Sequence, residues 1–244
     1  MRLTAPSSQP SPPIFPTDFP ATAEEWQAFC ATPSIAGMAG FEAKYVDGSK
    51  RISGITDAPA RKIIRHYLEH IAWAHEHGKG LALCGGQGSG KTSVLALVAE
   101  AWGRKFGVRR HTDPAWRFSP EVPTMLYESG PAFALQHNMI PAESEREMKQ
   151  AHLKRMCAVD LLLFDDLGSG DLSRNSGPAL MTVFEYRITT GKVTCVTING
   201  KLDDLKRVPM MERLPDKLLD VIVRPIPFPA TSRREAVPWD EIGK

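Results

Sequence analysis

The sequence has no long hydrophobic run, little net charge and few cysteines, and each shortage excludes a class of protein. No apolar segment reaches the roughly 20 residues that a transmembrane helix needs, so no membrane span is predicted. The formal net charge of +2 is too small to indicate nucleic-acid binding without local basic clusters. The cysteines, Cys30, Cys84, Cys157 and Cys195, are far apart and form no CxxC pair, which favours core thiols in a reducing compartment over disulfides or a zinc site.

The N-terminal region lacks the apolar core of a signal peptide, and six of its first 20 residues are proline. We therefore expect residues 1–22 to form a disordered arm and the protein to be cytoplasmic. Residues 23–55 are interpreted as a short lead-in, which is either a partner-docking element or a segment that packs on its own core. Residues 56–244 are expected to form one ordered domain with a single core.

The expected domain alternates short apolar runs with helical patterns. Apolar runs bounded by turn residues predict strands at 81–84, 124–129, 161–164, 193–197 and 221–228. Helical spacing predicts one helix from near Pro59 to Gly78 and another from Lys91 to about Phe106. Strands and helices in alternation are typical of a parallel sheet covered on both faces, so the predicted class is a three-layer α/β/α fold.

The most specific motif is GGQGSGKTS, which follows the first predicted strand and satisfies the pattern G-x-x-x-x-G-K-[ST]. Its glycines let successive backbone N–H groups point at a phosphate, and the next helix adds its positive dipole end. Lys91 is placed to reach the β- and γ-phosphates, and Thr92 to offer its hydroxyl to Mg²⁺. The predicted nucleotide-binding residues are Gly85, Gly86, Gln87, Gly88, Ser89, Gly90, Lys91, Thr92 and Ser93.

Two adjacent carboxylates follow the apolar strand in LLLFDDLG. Asp165 lies at the carboxyl end of that strand, where it can hold Mg²⁺ beside Thr92. Asp166 is placed to orient or deprotonate an attacking water, unless it only caps the following turn. Asn199 in VTCVTING, or Thr197 just before it, is placed to contact the γ-phosphate, unless Asn-Gly is only a turn. A second acid at this place favours hydrolysis over transfer to a small molecule.

The order GGQGSGKT, LLLFDDLG and VTINGKLDDL resembles the AAA+ ATPases of the DnaC-type helicase loaders and the IstB-type transposition helpers. The resemblance extends from about Phe41 to the C-terminus. It implies a P-loop NTPase with about five parallel strands, ATP-dependent assembly into open rings or spirals, and binding to single-stranded DNA and a ring helicase. The roles that it implies are nucleotide and Mg²⁺ binding by Lys91 and Thr92, metal binding by Asp165, catalysis by Asp166 and sensing by Asn199.

The family often completes a neighbouring subunit's site with an arginine from an R-x-x-S-R helix. This chain has RLPDK there, so Lys217 stands where that arginine is expected, and Arg213 is the alternative. A lysine lacks the planar fork of an arginine, and Pro215 is expected to disturb the helix. Three further arginines match family positions and are candidate sensor or trans-acting residues, unless they are ordinary surface arginines: Arg187, Arg233 and Arg234.

The segment WGRKFGVRRHTDPAWRF is the candidate DNA-binding region. It interleaves cations with aromatic residues, which is what binding of a single strand requires. The alternative is that Trp102 and Phe106, four residues apart on one helix, belong to the core. The candidate DNA-binding cations are Arg104, Lys105, Arg109, Arg110 and Arg117.

The motifs predict an ATPase that uses ATP and Mg²⁺. The resemblance implies, more specifically, a DnaC-like loader that forms homo-oligomers and binds single-stranded DNA and a replicative helicase. One alternative is an IstB-like helper, whose partner is a transposase. Two others are a P-loop kinase for a small molecule and a binding module that uses ATP only as a switch. The adjacent aspartates and the lack of an obvious arginine-rich lid argue against the kinase.

Overall fold

The structure, a computed structural model, describes residues 41, 58–107, 123–138, 143–169, 176–208 and 211–228. The predictions for the arm, for nearly all of the lead-in and for residues 108–122 and 229–244 therefore lie outside the described residues. The strands are β1 (Gly80–Gly85), β2 (Met125–Ser129), β3 (Leu161–Leu167), β4 (Val193–Asn199) and β5 (Ile222–Pro227). The helices are α1 (Ala58–Glu69), α2 (Ile71–Glu76), α3 (Lys91–Phe106), α4 (Gly130–Asn138), α5 (Glu143–Ala158), α6 (Ser176–Thr189) and α7 (Leu214–Leu219), with a 3₁₀ turn at Leu202–Arg207.

The strands form one parallel sheet in the order β2-β3-β4-β1-β5. The strand that precedes the glycine-rich loop, β1, therefore does not touch the strand of the two aspartates, β3, because β4 lies between them. The register pairs Gly85 with Asn199 and Ser129 with Asp165. Since the carboxyl ends of parallel strands meet at one edge of a sheet, all the predicted chemical groups are delivered to the same edge.

The core has two halves, one on each face of the sheet. Alternate residues of β3 divide between them: Leu161 and Leu163 pack with α1 and α3, whereas Leu162 and Phe164 pack with α4, α5 and α6. Each large side chain buried in this way contributes about 1.5–3 kcal/mol to folding. The predicted strands and the three-layer α/β/α architecture are confirmed.

The helix predicted from Pro59 to Gly78 is interrupted. His70 separates α1 from α2 with φ −109° and ψ 30°, and its Nδ1 lies 2.9 Å from the carbonyl oxygen of His66. The His70 N–H still donates to the His66 carbonyl at 3.2 Å, so the break is a local departure of φ and ψ at His70. Within the described part of the chain, no helix is long and apolar enough to cross a membrane.

Candidate active site

The glycine-rich loop, residues 86–90, joins β1 to α3. Gly88 and Gly90 have φ of +73° and +98°, a region that glycine adopts without strain. The hydroxyl of the buried Ser89 donates to the Gly86 carbonyl at 2.8 Å and closes the loop. Gly90 gives α3 no side-chain cap, so the first N–H groups of this helix remain available to an anion.

Lys91 lies on the inside of the loop, with only 4% of its surface exposed. Its Nζ donates to the carbonyls of Gly85 (3.0 Å) and Gly86 (2.7 Å), and to Oδ1 of Asn199 (3.1 Å). The sequence thus places a buried positive charge against the loop backbone and beside the end of β4.

Asp165 lies near the carboxyl end of β3, and it is only 5% exposed. Three hydroxyls donate to its carboxylate: Thr197 to Oδ1 at 2.5 Å, and Thr92 and Tyr127 to Oδ2 at 2.9 and 3.2 Å. Burial raises the pKa of Asp165; the Thr197 hydrogen bond opposes this shift, and the charge of Asp166 adds to it. A buried carboxylate beside a threonine hydroxyl and a second carboxylate is a donor set that suits a hard divalent cation.

Asp166 has a backbone conformation that non-glycine residues seldom adopt, with φ +55°. The β3–β4 register shifts between Phe164 and Leu167, and the Asp166 N–H donates to the Thr197 hydroxyl at 2.7 Å. Such a bulge re-aims a side chain, at a strain of about 1–3 kcal/mol. The carboxylate of Asp166 accepts a hydrogen bond from Asn199 Nδ2 at 3.1 Å, while its backbone carbonyl bonds the turn at Ser169.

Asn199 connects the two halves of the site. Its Oδ1 accepts from Lys91, and its Nδ2 donates both to Asp166 Oδ1 and to Ser169 Oγ, each at 3.1 Å. The side chains singled out from the sequence as nucleotide-contacting, metal-binding, catalytic and sensing therefore form one connected network at the sheet edge.

Three residues near the aspartates were missed by the sequence analysis: Tyr127, Ser169 and Gly130. Tyr127 bonds Asp165 across the β2–β3 pair, and Ser169 bonds Asn199. Gly130 begins α4 so close to Asp166 that a Cβ there would collide with the Asp166 carbonyl oxygen. A polar side chain near the carboxyl end of a predicted strand was a usable signal for Tyr127. Gly130 carried no comparable signal.

The prediction of a sensor or trans-acting role for Arg187 is wrong. Arg187 is fully buried and donates to the carbonyls of Met156 (2.7 Å), Val159 (2.7 Å) and Val193 (2.6 Å). These acceptors lie at the amino ends of β3 and β4, at the opposite edge of the sheet from the glycine-rich loop. Burial lowers the pKa of Arg187 to about 10, so it stays charged at neutral pH and serves the fold.

The helix α7 carries the candidate trans-acting residues. Pro215 lies in its first turn, where a missing N–H costs nothing, so the expectation that this proline disturbs the helix is also wrong. Arg213 immediately precedes α7. Lys217 is partly exposed and forms an ion pair with Glu185 of α6. The trans-acting roles of Arg213 and Lys217 stay predictions, and Arg233 and Arg234 lie outside the described residues.

The candidate DNA-binding segment is only partly described. Trp102 is fully buried and its ring lies 4.8 Å from that of Phe106, so the alternative that this pair belongs to the core is confirmed. Arg104 is half-buried and Lys105 is exposed in the last turn of α3, about 20 Å along the helix from the loop. Arg109, Arg110 and Arg117 lie outside the described residues.

Comparison with known proteins finds solved structures whose fold is similar to that of this chain. No family model and no curated protein matches the sequence. A candidate primosome component from Streptococcus pyogenes serotype M3 is similar with a TM-score of 0.57 and 21% identity, over 82% of this chain and 97% of that one. A DnaC helicase loader is similar with a TM-score of 0.52 and 21% identity, over 71% of this chain and 92% of that one.

A third similar structure is the replication initiator DnaA, solved with AMPPCP and single-stranded DNA. Its TM-score is 0.52 at 18% identity, over 78% of this chain and 51% of that one. These likenesses agree with the sequence resemblance at the level of the fold: the chain has the three-layer α/β/α fold of the DnaC helicase loader and DnaA structures.

Proposed function

We propose that this protein is a DnaC-like replication ATPase, which binds ATP with Mg²⁺, hydrolyses it, and couples the state of the nucleotide to a helicase and to single-stranded DNA. The observation that supports this most is the network at the carboxyl edge of the sheet. There Asn199 joins the loop lysine, Lys91, to the second acid, Asp166, while Thr92 bonds the first acid, Asp165.

The residues present fit a nucleotide with its metal. The loop offers backbone N–H groups and a buried ammonium for phosphates, and Asp165 with Thr92 offers oxygen ligands for Mg²⁺. Mg²⁺ held by these two residues would neutralise charge on the β- and γ-phosphate oxygens. For Lys91 to bind phosphate, it must exchange its contacts with the Gly85 and Gly86 carbonyls for phosphate oxygens.

Hydrolysis in this account depends on Asp166. Its positive φ and its hydrogen bond from Asn199 direct the carboxylate toward the end of the loop. There the carboxylate orients a water and accepts its proton. Asn199 contacts both Lys91, which begins α3, and Asp166 of β3. Loss of the γ-phosphate therefore changes the hydrogen-bond partners of Asn199, and both elements are affected through this one side chain. This arrangement supports the role of Asn199 as the sensor.

The proposed partners follow from the structural likeness to a DnaC helicase loader and to DnaA solved with single-stranded DNA. We place the protein in the cytoplasm as an ATP-dependent homo-oligomer, in which Arg213 or Lys217 contributes a positive charge to the neighbouring site. The basic end of α3, with Arg104 and Lys105, and the segment after it supply the DNA contact. A transposase takes the place of the helicase in the alternative.

The test is a pull-down of purified full-length protein with a replicative helicase and, separately, with a transposase, each with and without ATP. Capture of the helicase that changes with ATP, and no longer changes in Lys91→Ala, supports the proposal. Capture of the transposase alone favours the IstB-like alternative. Phosphate transfer to a small metabolite, with no response to DNA or helicase, would overturn both.

A further inference from the structure

The carboxylate of Asp165 has one hydrogen-bond partner from outside the motifs. Tyr127 lies on β2, the edge strand next to β3, and its hydroxyl donates to Asp165 Oδ2 at 3.2 Å. The same oxygen accepts from Thr92 at 2.9 Å. Tyr127 therefore helps to fix the rotation of the carboxylate that faces Thr92, which is the pair expected to hold a metal.

The ring of Tyr127 is in turn packed against Phe41. The two ring centroids are 4.0 Å apart with an interplanar angle of 36°, and Phe41 is buried in the half of the core that contains α1 and α3. Phe41 belongs to the lead-in, residues 23–55, which precedes the ordered domain in sequence. A chain of direct contacts thus runs from the lead-in, through Phe41 and Tyr127, to Asp165.

The position of the Tyr127 hydroxyl depends more on side-chain packing than the positions of the other two donors, Thr92 and Thr197. Thr92 is in the first turn of α3 and Thr197 is on β4, which has a strand on either side. Tyr127 is on a strand that pairs on one side only in the described sheet, so packing against its ring has a larger part in placing its hydroxyl.

We propose that Tyr127 is a positioning residue for Asp165, and that Phe41 sets the place of Tyr127, so that the lead-in regulates the affinity of the site for Mg²⁺. This inference rests on the proposed function, since it concerns the same metal and nucleotide. It gives the lead-in a defined action: a partner that binds it and displaces Phe41 weakens the metal site without contacting the nucleotide.

The experiment titrates Mg²⁺ against binding of a fluorescent ATP analogue to the full chain. Tyr127→Phe removes the hydroxyl and keeps the ring on Phe41. It should raise the Mg²⁺ concentration for half-maximal binding about tenfold, the usual effect of losing a partner that orients a metal ligand. The affinity measured without Mg²⁺ should not change. The matched control is Tyr67→Phe, whose buried hydroxyl donates to the Lys79 carbonyl at 2.9 Å.

Phe41 is tested by Phe41→Leu, with Phe41→Ala as the larger change, each after its urea midpoint shows that it folds. Both should shift the Mg²⁺ dependence in the same direction as Tyr127→Phe. Combined with Tyr127→Phe, they should add little, because the contact chain is already broken at the hydroxyl.

The outcomes separate this inference from the function on which it rests. A wild-type chain that binds no nucleotide with Mg²⁺ overturns the proposed function and the inference together. Mg²⁺-dependent binding that Tyr127→Phe leaves unchanged, or that Tyr67→Phe shifts equally, overturns the inference alone. A shift in Tyr127→Phe without one in either Phe41 variant overturns the link to the lead-in.

Discussion

Replacing Arg187 by methionine should strongly destabilise the domain, because this arginine connects three elements inside the protein. Methionine has a similar length and is apolar, so the core keeps most of its volume. The change removes the donors to the carbonyls of Met156, Val159 and Val193, and the bond from Nε to the Thr194 hydroxyl at 2.9 Å.

The size of the effect follows from those contacts. Each buried carbonyl that loses its donor costs about 1–3 kcal/mol, and the three carbonyls with the shortest contacts to the guanidinium all lose theirs. Burying the charged guanidinium costs free energy, as the lowered pKa of Arg187 shows. The methionine variant avoids this cost, which offsets part of the loss. We expect a net loss of about 3–5 kcal/mol, a large fraction of the roughly 5–15 kcal/mol that stabilises a typical domain.

Urea denaturation followed by circular dichroism measures this loss. The control is Arg65→Met on α1, where the side chain is 44% exposed and pairs with Glu69, so its effect should stay within about 0.5 kcal/mol. A stable Arg187→Met protein with impaired ATP turnover would contradict the structural role of Arg187 and restore a nucleotide-sensing role to it.

Three further substitutions test the aspartates and the helical layer next to them. Thr197→Val removes the hydroxyl that bonds both Asp165 and the Asp166 N–H, and should cost about 2–4 kcal/mol in urea, whereas exposed Thr182→Val should cost little. Gly130→Ala should lower the ATP turnover number more than the affinity for ATP, because its Cβ displaces Asp166; equal turnover would contradict this. Burial lowers the pKa of His137 from 6.5 to about 4, with His152 and Lys149 adding to the shift. As the pH falls, His137 therefore takes up a proton in the unfolded chain before it does so in the folded chain. The wild type should lose more stability between about pH 6.5 and pH 4 than His137→Gln does. Equal losses of stability in the wild type and in His137→Gln would contradict this prediction.

The sequence predicted which side chains meet at the carboxyl edge of the sheet, because the pattern of a phosphate loop is local. Lys91 and Thr92 are fixed by a short motif, and Asp165 by its place after an apolar strand. Tyr127 and Gly130 were missed because they reach the aspartates through the pairing of β2 with β3 and the start of α4, and periodicity does not specify which strands pair.

Burial explains the other differences. Arg187 was interpreted by its position in a family pattern, but six carbonyl and hydroxyl acceptors around it form only when α5, α6 and β4 are packed. The division of the first helix is a local departure of φ and ψ at His70, which the spacing of apolar residues does not reveal. The alternation of strands and helices did predict the three layers, since it reflects helices that pack on both faces of the sheet.

ATP turnover by Asp166→Asn beside the wild type, with ATP binding measured for both, tests directly whether Asp166 activates the attacking water. Asparagine keeps an oxygen for the Asn199 hydrogen bond and loses the basic carboxylate, so binding should remain while Mg²⁺-dependent hydrolysis falls about 100-fold or more. Asp216→Asn, an exposed carboxylate on α7, should hydrolyse ATP like the wild type. Equal turnover by the wild type and Asp166→Asn would contradict the account.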